Sequence, residues 1–196
     1  MPAARRLGAR RFGRPTPPDD TRGIDEGWDH APGATVADAV TALRERVESL
    51  PHPLSLALVR EWITSEAFRR WLDDPRGSWP VARLPDAEAE DIGATVRIVE
   101  LPAETARKQR EVHPELEPLE YLDIQRVIEA RTIRIVEGRN IVYVLVEPTP
   151  ERGGHVLVVK ATRTGGGLWV TSFRRLSRRD AERDAEIARL LRRRRA

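Results

Sequence analysis

Apolar residues in the first half of the chain recur at the spacing of amphipathic helices. A first helix, over residues 35–50, is predicted because its apolar positions lie alternately four and three residues apart: Val36, Val40, Leu43, Val47 and Leu50. A second helix is predicted over residues 54–73, ended by Asp73-Asp74-Pro75. Because only Pro51-His52-Pro53 separates them, we expect a helical hairpin. Residues 75–92 contain prolines and are interpreted as a connector.

From residue 95 onward the spacing of apolar residues changes to that of strands and short helices. Residues 95–101 alternate at period two and predict a strand. Helices are predicted over 102–112 and 118–130, each with a proline in its first turn. Further strands are expected within 132–147 (a hairpin turning near 137–140), 155–161 and 167–173, before a last helix over 177–195. Helices followed by such a meander predict an α+β fold in which short helices pack on a small antiparallel sheet.

The chain therefore divides into four expected segments. Residues 1–22 form a basic tail with no period and many breakers, which predicts disorder. Residues 23–92 form a helical segment that opens with a Gly/Asp/Pro-rich turn around Trp28. Residues 93–176 form the α+β domain, and residues 177–196 form a basic helical tail.

Composition excludes several classes of protein. The 196 residues contain no cysteine, so disulfides and thiolate metal sites are excluded. No apolar run reaches the ~20 residues that span a bilayer, so we expect no membrane association. The motifs of zinc proteases, P-loop enzymes and α/β-hydrolases are absent. We expect neither a cofactor nor a metal.

The net charge of +3 hides an uneven distribution. Residues 1–22 carry six arginines and two aspartates, a net of +4, and residues 174–196 carry ten arginines and four acids, a net of +6. The region between them is therefore acidic, with a net of −7. Basic ends of this kind are typical of interaction tails or of simply solvated termini.

Candidate chemistry begins with the two lysines among 34 basic residues, Lys108 and Lys160. Lys108 stands within fourteen residues of His113 and Tyr121. An imidazole is the natural acid or base at neutral pH, and cations suit a phosphate. The last two strands add a lysine, hydroxyls and arginines that a hairpin would bring to one sheet edge: Lys160, Thr171, Ser172, Arg174 and Arg175. The residues of these two strands are equally typical of the solvent face of a sheet. His113, which precedes Pro114, is also typical of the end of a helix.

The remaining histidines and the glycine run predict no chemistry. His30 and His52 stand among prolines and glycines, and His155 begins a strand beside two glycines, so we expect all three at the surface. Gly165-Gly-Gly167 precedes a strand rather than a helix, which favours a hairpin turn over a phosphate-binding loop.

Several short motifs occur in a fixed order. They are Val96-Arg-Ile-Val-Glu-Leu101, Glu104-Thr105, Lys108-Gln109, His113-Pro-Glu-Leu116, Tyr121, Val158-Val-Lys160 and Leu168-Trp-Val-Thr-Ser-Phe-Arg174. In order and spacing they resemble phage-associated nuclease domains of the barnase/EndoU/colicin/RelE-like superfamily. Separately, Gly23-Ile-Asp-Glu-Gly-Trp-Asp-His-Ala-Pro-Gly33 resembles a segment of phage head-morphogenesis (minor head) proteins, which such a domain can follow.

The resemblance implies a phage or prophage-encoded, metal-independent endoribonuclease that cuts RNA through its 2′-hydroxyl and leaves a cyclic phosphate. It implies His113 as acid or base and Lys108 as a cation at the phosphate. Lys160 and Arg174 would stabilise the transition state, and Thr171 or Ser172 would donate a hydrogen bond. Tyr121 would orient His113 or stack on a base, as RNA-binding proteins use aromatic residues; a core position is its equal alternative.

Two alternatives remain open. In one, the chain is a non-enzymatic head-assembly or virion protein that keeps the fold as a binding module, with arginine tails contacting DNA or phage head proteins. In the other, it is a toxin neutralised by an immunity protein. Each implies a location in the host cytoplasm or in the virion. Convergence of Lys108, His113 and Lys160 would favour the enzyme.

Overall fold

A computed structural model describes residues 36–147 and 153–193 of the chain. In these ranges the helices are α1 (Val36–Ser49), α2 (His52–Thr64), α3 (Glu66–Asp73), α4 (Asp86–Asp91), α5 (Ala103–Val112), a 3₁₀ helix (Pro118–Leu122), α6 (Asp123–Ala130) and α7 (Asp180–Arg193). The strands are β1 (Ser78–Arg83), β2 (Ile98–Pro102), β3 (Ile133–Glu137), β4 (Asn140–Val146), β5 (Gly154–Ala161) and β6 (Leu168–Arg175). The predicted disordered tail, the turn around Trp28 and His30 lie outside the described residues.

The strands form one six-stranded sheet in the order β1-β2-β6-β5-β4-β3. The expected α+β fold is confirmed, and β3 to β6 form the predicted antiparallel meander. β2 pairs with β6 in parallel, so the sheet is mixed rather than wholly antiparallel. The difference arises because β2 has its sequence neighbour β1 on one side and the last strand, β6, on the other.

The interpretation of residues 75–92 as a connector was wrong. They form the edge strand β1 and helix α4. Pro80 suggested a loop, but an edge strand tolerates a proline because one side of its backbone has no partner. The pairing of β1 with β2 shifts register between Pro80 and Ala82 and crosses the domain boundary expected near residue 92. The described residues on both sides of that position belong to one compact unit.

The single helix expected over residues 54–73 is divided at Ser65. This residue has an extended backbone (φ −69°, ψ 152°), which ends α2 and begins α3. Its hydroxyl donates to the carbonyl of Trp62 at 2.6 Å and accepts from the amide of Phe68 at 3.1 Å. The apolar spacing continues across the break, so the spacing alone does not reveal that Ser65 is an N-cap.

We expect Ser65→Ala to lower the free energy of unfolding by about 1 kcal/mol, the usual loss for an N-cap. The amide of Phe68 would lose its partner at the start of α3. Urea denaturation measures the loss. Thr64→Ala is the matched control, because the Thr64 hydroxyl is exposed and bonds only to carbonyls of its own helix. An equal loss in both variants would contradict the capping role.

Each face of the sheet is covered by helices. We call the face of Leu157 and Phe173 the inner face; Tyr121 of the 3₁₀ helix packs on it, with ring centroids of Tyr121 and Phe173 5.9 Å apart. The opposite, outer face carries an apolar cluster that includes Val144 and Val156, and α7 covers it with Ile187 and Leu190. Because side chains alternate along a strand, each strand residue belongs to one face or the other.

Candidate functional site

The structure divides the predicted catalytic residues between the two faces. Lys160 shares the outer face with Val156, because they lie four residues apart in β5. Arg174 pairs with Val156 and so also lies on the outer face. Arg175 pairs with His155 and lies on the inner face. Tyr121 and α5, which contacts β6, are on the inner side as well.

The expected convergence of Lys108, His113 and Lys160 is therefore not found. Lys108 is exposed on α5, on the other side of the sheet from Lys160. His113 follows the end of α5, and its Nδ1 lies 3.3 Å from Oε1 of Glu115. Residue type and chain proximity predicted this cluster, but they do not encode on which face of a sheet a strand residue lies.

Three of the other predicted residues, Tyr121, Thr171 and Arg174, have structural partners. Tyr121 is buried in the core, where its hydroxyl donates to Oε1 of Gln109 at 3.0 Å, and burial raises its pKa to about 12. Arg174 forms an ion pair with Glu186 of α7. Two hydroxyl residues complete the set: Thr171 is exposed and donates to the carbonyl of Val158 at 3.3 Å, and Ser172 is half-buried. The core alternative for Tyr121 is the one that its contacts favour.

His155 is a better candidate than His113 for the acid or base that the sequence analysis predicted. The prediction that His155 is exposed was wrong: only 6% of the residue is accessible. Its ring stacks on Phe173, with centroids 5.2 Å apart and an interplanar angle of 12°. Gly154 allows this burial, because a Cβ there would stand 2.0 Å from the carbonyl oxygen of Leu145. The neighbouring glycines therefore mark close packing rather than exposure.

His155 lies in a pocket of about 410 Å³ at the ends of β5 and β6. Its charged walls come from the 3₁₀ helix, α6, β6 and the segments that follow β4 and β6: Glu120, Asp123, Arg126, Glu147, Arg175 and Arg178. Neither ring nitrogen of His155 has a hydrogen-bond partner among the described atoms. Nε2 lies 3.7 Å from Oε1 of Glu120, a contact too long for a hydrogen bond. Both ring nitrogens are therefore buried polar atoms that no described residue satisfies.

Ion pairs hold the walls of this pocket in place. Nε and Nη2 of Arg175 donate to the two carboxylate oxygens of Glu120 at 2.7 and 2.6 Å. Arg126 donates to Asp123 at 2.9 Å and also to Glu147. The bidentate pair of Arg175 with Glu120 fixes the orientation of both partners. Arg178 has no ion-pair partner among the described residues, so its charge remains available.

The electrostatics set the protonation states at neutral pH. Burial lowers the pKa of His155, with Asp123 and Glu120 opposing this shift, so the imidazole is neutral. Burial raises the pKa of Glu120, but hydrogen bonds from Arg175 and the amide of Glu117 outweigh that effect and leave the pKa below its usual value. The hydrogen bond to Glu120 raises the pKa of Arg175. The pocket thus holds a neutral base beside fixed charges of both signs.

The pH dependence of stability provides a test of this arrangement. Because the pKa of His155 is lowered on folding, the unfolded chain binds a proton at this residue more readily, below about pH 6.5. Stability should therefore fall as pH drops below that value, by at most about 1.4 kcal/mol per pH unit for one proton, until the folded imidazole is also protonated.

Denaturant midpoints at pH 7.5 and 5.5 measure this effect. His155→Gln should show a smaller loss over the interval than the unmodified protein. His113→Gln is the control, because His113 is less buried and faces Glu115. An unchanged loss in His155→Gln would contradict the buried neutral imidazole.

One sequence signal could have identified His155. It alternates with Leu157, Val159 and Ala161 along β5, so it shares their buried face, whereas Lys160 belongs to the other face. Glu120 and Arg126 carry no comparable signal, because their approach to His155 depends on how the 3₁₀ helix and α6 pack on the sheet.

Two further findings concern ligands and membranes. Among the described residues no group of three or more His, Asp or Glu side chains is arranged to hold a metal ion. No helix within residues 36–147 and 153–193 is long and apolar enough to cross a membrane.

In comparisons with known proteins the chain matches no protein-family model, no curated protein and no solved structure.

Proposed function

We propose that the chain is a metal-independent endoribonuclease whose base is His155. The observation that carries the proposal is a buried, neutral imidazole with both nitrogens unpartnered, in a pocket that also presents arginines. Such an imidazole can accept a proton at neutral pH. Arginine is well suited to bind the non-bridging oxygens of a phosphodiester. The proposal keeps the reaction implied by the sequence resemblance and moves its centre from His113 to His155.

In the proposed reaction the substrate supplies its own nucleophile. Arg178 and Arg175 bind the phosphate, and the nitrogen of His155 that carries no proton takes the proton of the 2′-hydroxyl. The 2′-oxygen then bonds to phosphorus, the bond to the 5′-oxygen breaks, and water protonates the leaving oxygen. Cationic side chains aimed at the phosphate lower the barrier because they stabilise the charge of the phosphorane.

The test is incubation of a mixed, partly unpaired RNA with the full chain in EDTA. We expect products that end in a 2′,3′-cyclic phosphate, and no cleavage of DNA of the same sequence, since DNA lacks the attacking hydroxyl. RNA left intact by folded protein at high concentration would overturn the proposal. Products with linear phosphates from the outset would overturn the 2′-hydroxyl route.

One observation favours the alternative of a non-enzymatic binding module in a phage head or virion. Arg174, Arg175 and Arg126 are already ion-paired, which stabilises the protein without any substrate. Under this alternative the folded protein binds RNA or DNA through its exposed arginines and cleaves neither. The binding affinity falls as the salt concentration rises.

A further inference from the structure

A second pocket, of about 420 Å³, is lined by Pro118 and Tyr121 of the same 3₁₀ helix that contributes Glu120 to the His155 pocket. Its apolar lining comes from the end of α3 and from the segment around the 3₁₀ helix: Leu72, Pro114, Leu116, Pro118 and Tyr121. Three charged residues complete it: Arg69, Asp73 and Arg110. We call it the Leu116 pocket. A pocket with apolar walls and two arginines fits a flat apolar group attached to a negative charge.

The two pockets are joined by a continuous row of rings. His155 stacks on Phe173 at 5.2 Å, and Phe173 packs against Tyr121 at 5.9 Å. The two separations add to about 11 Å, which is the largest possible distance between the centroids of His155 and Tyr121. A nucleic acid strand advances about 3.4 Å per stacked nucleotide and further when unstacked. Because Phe173 and Tyr121 are buried, a strand passes over the surface rather than along the rings, and the two pockets lie within a few nucleotides of each other.

The guanidinium of Arg110 is held as one wall of this pocket. Its Nη1 donates to the carbonyl of Leu72 and lies 3.6 Å from Oδ1 of Asp73. A guanidinium fixed in this way offers a planar face, and unpaired RNA bases stack on such faces as they do on aromatic rings. Behind Tyr121, the buried Gln109 keeps Nε2 without a hydrogen-bond partner among the described atoms.

We propose that the Leu116 pocket binds one unpaired base of an RNA whose phosphate lies at His155. The proposal rests on the proposed function, since it takes its ligand class from that site. It makes single-stranded RNA the substrate class, because a paired base is not free to enter a pocket. The arginines that line the two pockets complement the backbone phosphates that flank the base.

The experiment compares binding of adenosine, uridine, their 3′-monophosphates and inorganic phosphate to the full chain by NMR titration. We expect each nucleoside monophosphate to bind about tenfold more tightly than inorganic phosphate, the usual gain from one stacked base. Leu116→Asp should remove that gain and leave phosphate binding unchanged. The matched control is Leu119→Asp, since Leu119 is exposed on the 3₁₀ helix and lines neither pocket.

Equal affinity for phosphate and nucleotides in the unmodified protein would overturn the inference. This is also the result expected if the pocket holds a protein segment instead of a base. An undiminished gain in Leu116→Asp would overturn it as well. Failure of the proposed function is separate: nucleosides alone would still bind in a Leu116-dependent way while RNA stays uncut. Thermal unfolding of both variants checks that they are folded.

Discussion

RNA cleavage by His155→Gln protein is expected to be slower than that by the unmodified protein by a factor of about 100 to 10,000, the usual contribution of an acid–base residue. Glutamine is polar and of similar size, but it cannot accept a proton at neutral pH. His155 is 6% exposed and lines the pocket, so the substitution alters few other surface contacts. Initial rates in EDTA at pH 7.5 measure the effect.

His113→Gln is the matched control for this measurement, because His113 is the histidine that sequence analysis favoured and it lies at the end of another element. It should keep nearly full activity. The reverse pattern, with activity lost in His113→Gln and kept in His155→Gln, would move the reaction back to α5. Circular dichroism at the assay temperature shows whether either variant has unfolded.

The second large effect is expected from Phe173→Ala, which should lower the free energy of unfolding by about 4 kcal/mol. Phe173 is fully buried, and its ring lies between those of His155 and Tyr121. Removing it leaves a cavity where the inner-face core meets the His155 pocket. The loss combines the transfer free energy of the ring with that of the cavity.

Urea denaturation of Phe173→Ala and Phe173→Leu measures this contribution. Leucine fills part of the space, so its loss should be clearly smaller. If the two variants lose the same amount, partial filling of the space gives no stability, which would contradict the cavity as a source of the loss. RNA cleavage by the leucine variant should also fall, because the ring that positions the imidazole is gone.

Most of the fold could be predicted because its signals are local. The alternate four- and three-residue spacing predicted α1, and glycine-rich turns between alternating runs predicted the meander of β3 to β6. One failure depended on a contact distant in sequence, and the other on a local cap that the apolar spacing does not reveal. β1 contains Pro80 and is a strand only because β2 pairs with it, and Ser65 interrupts a continuous apolar stripe.

The candidate site could be predicted less well, and the reason is also physical. Lys160 and His113 were chosen for their residue types, but a site also depends on the face of the sheet on which each residue lies. Within β5 that face could be inferred from the alternation of His155 with Leu157. Glu120 could not be inferred, because it approaches His155 from a 3₁₀ helix distant in sequence.

The position of β2 beside β6 has a consequence for how the chain folds during synthesis. Val99 pairs with Leu168, about 70 residues later, so this part of the sheet waits for nearly the whole chain. Until β6 leaves the ribosome, β1 and β2 form at most a two-stranded unit, which is marginally stable alone. A nascent chain that stalls before residue 168 therefore presents an unpaired apolar strand edge, and such an edge is where chaperones bind or aggregation begins.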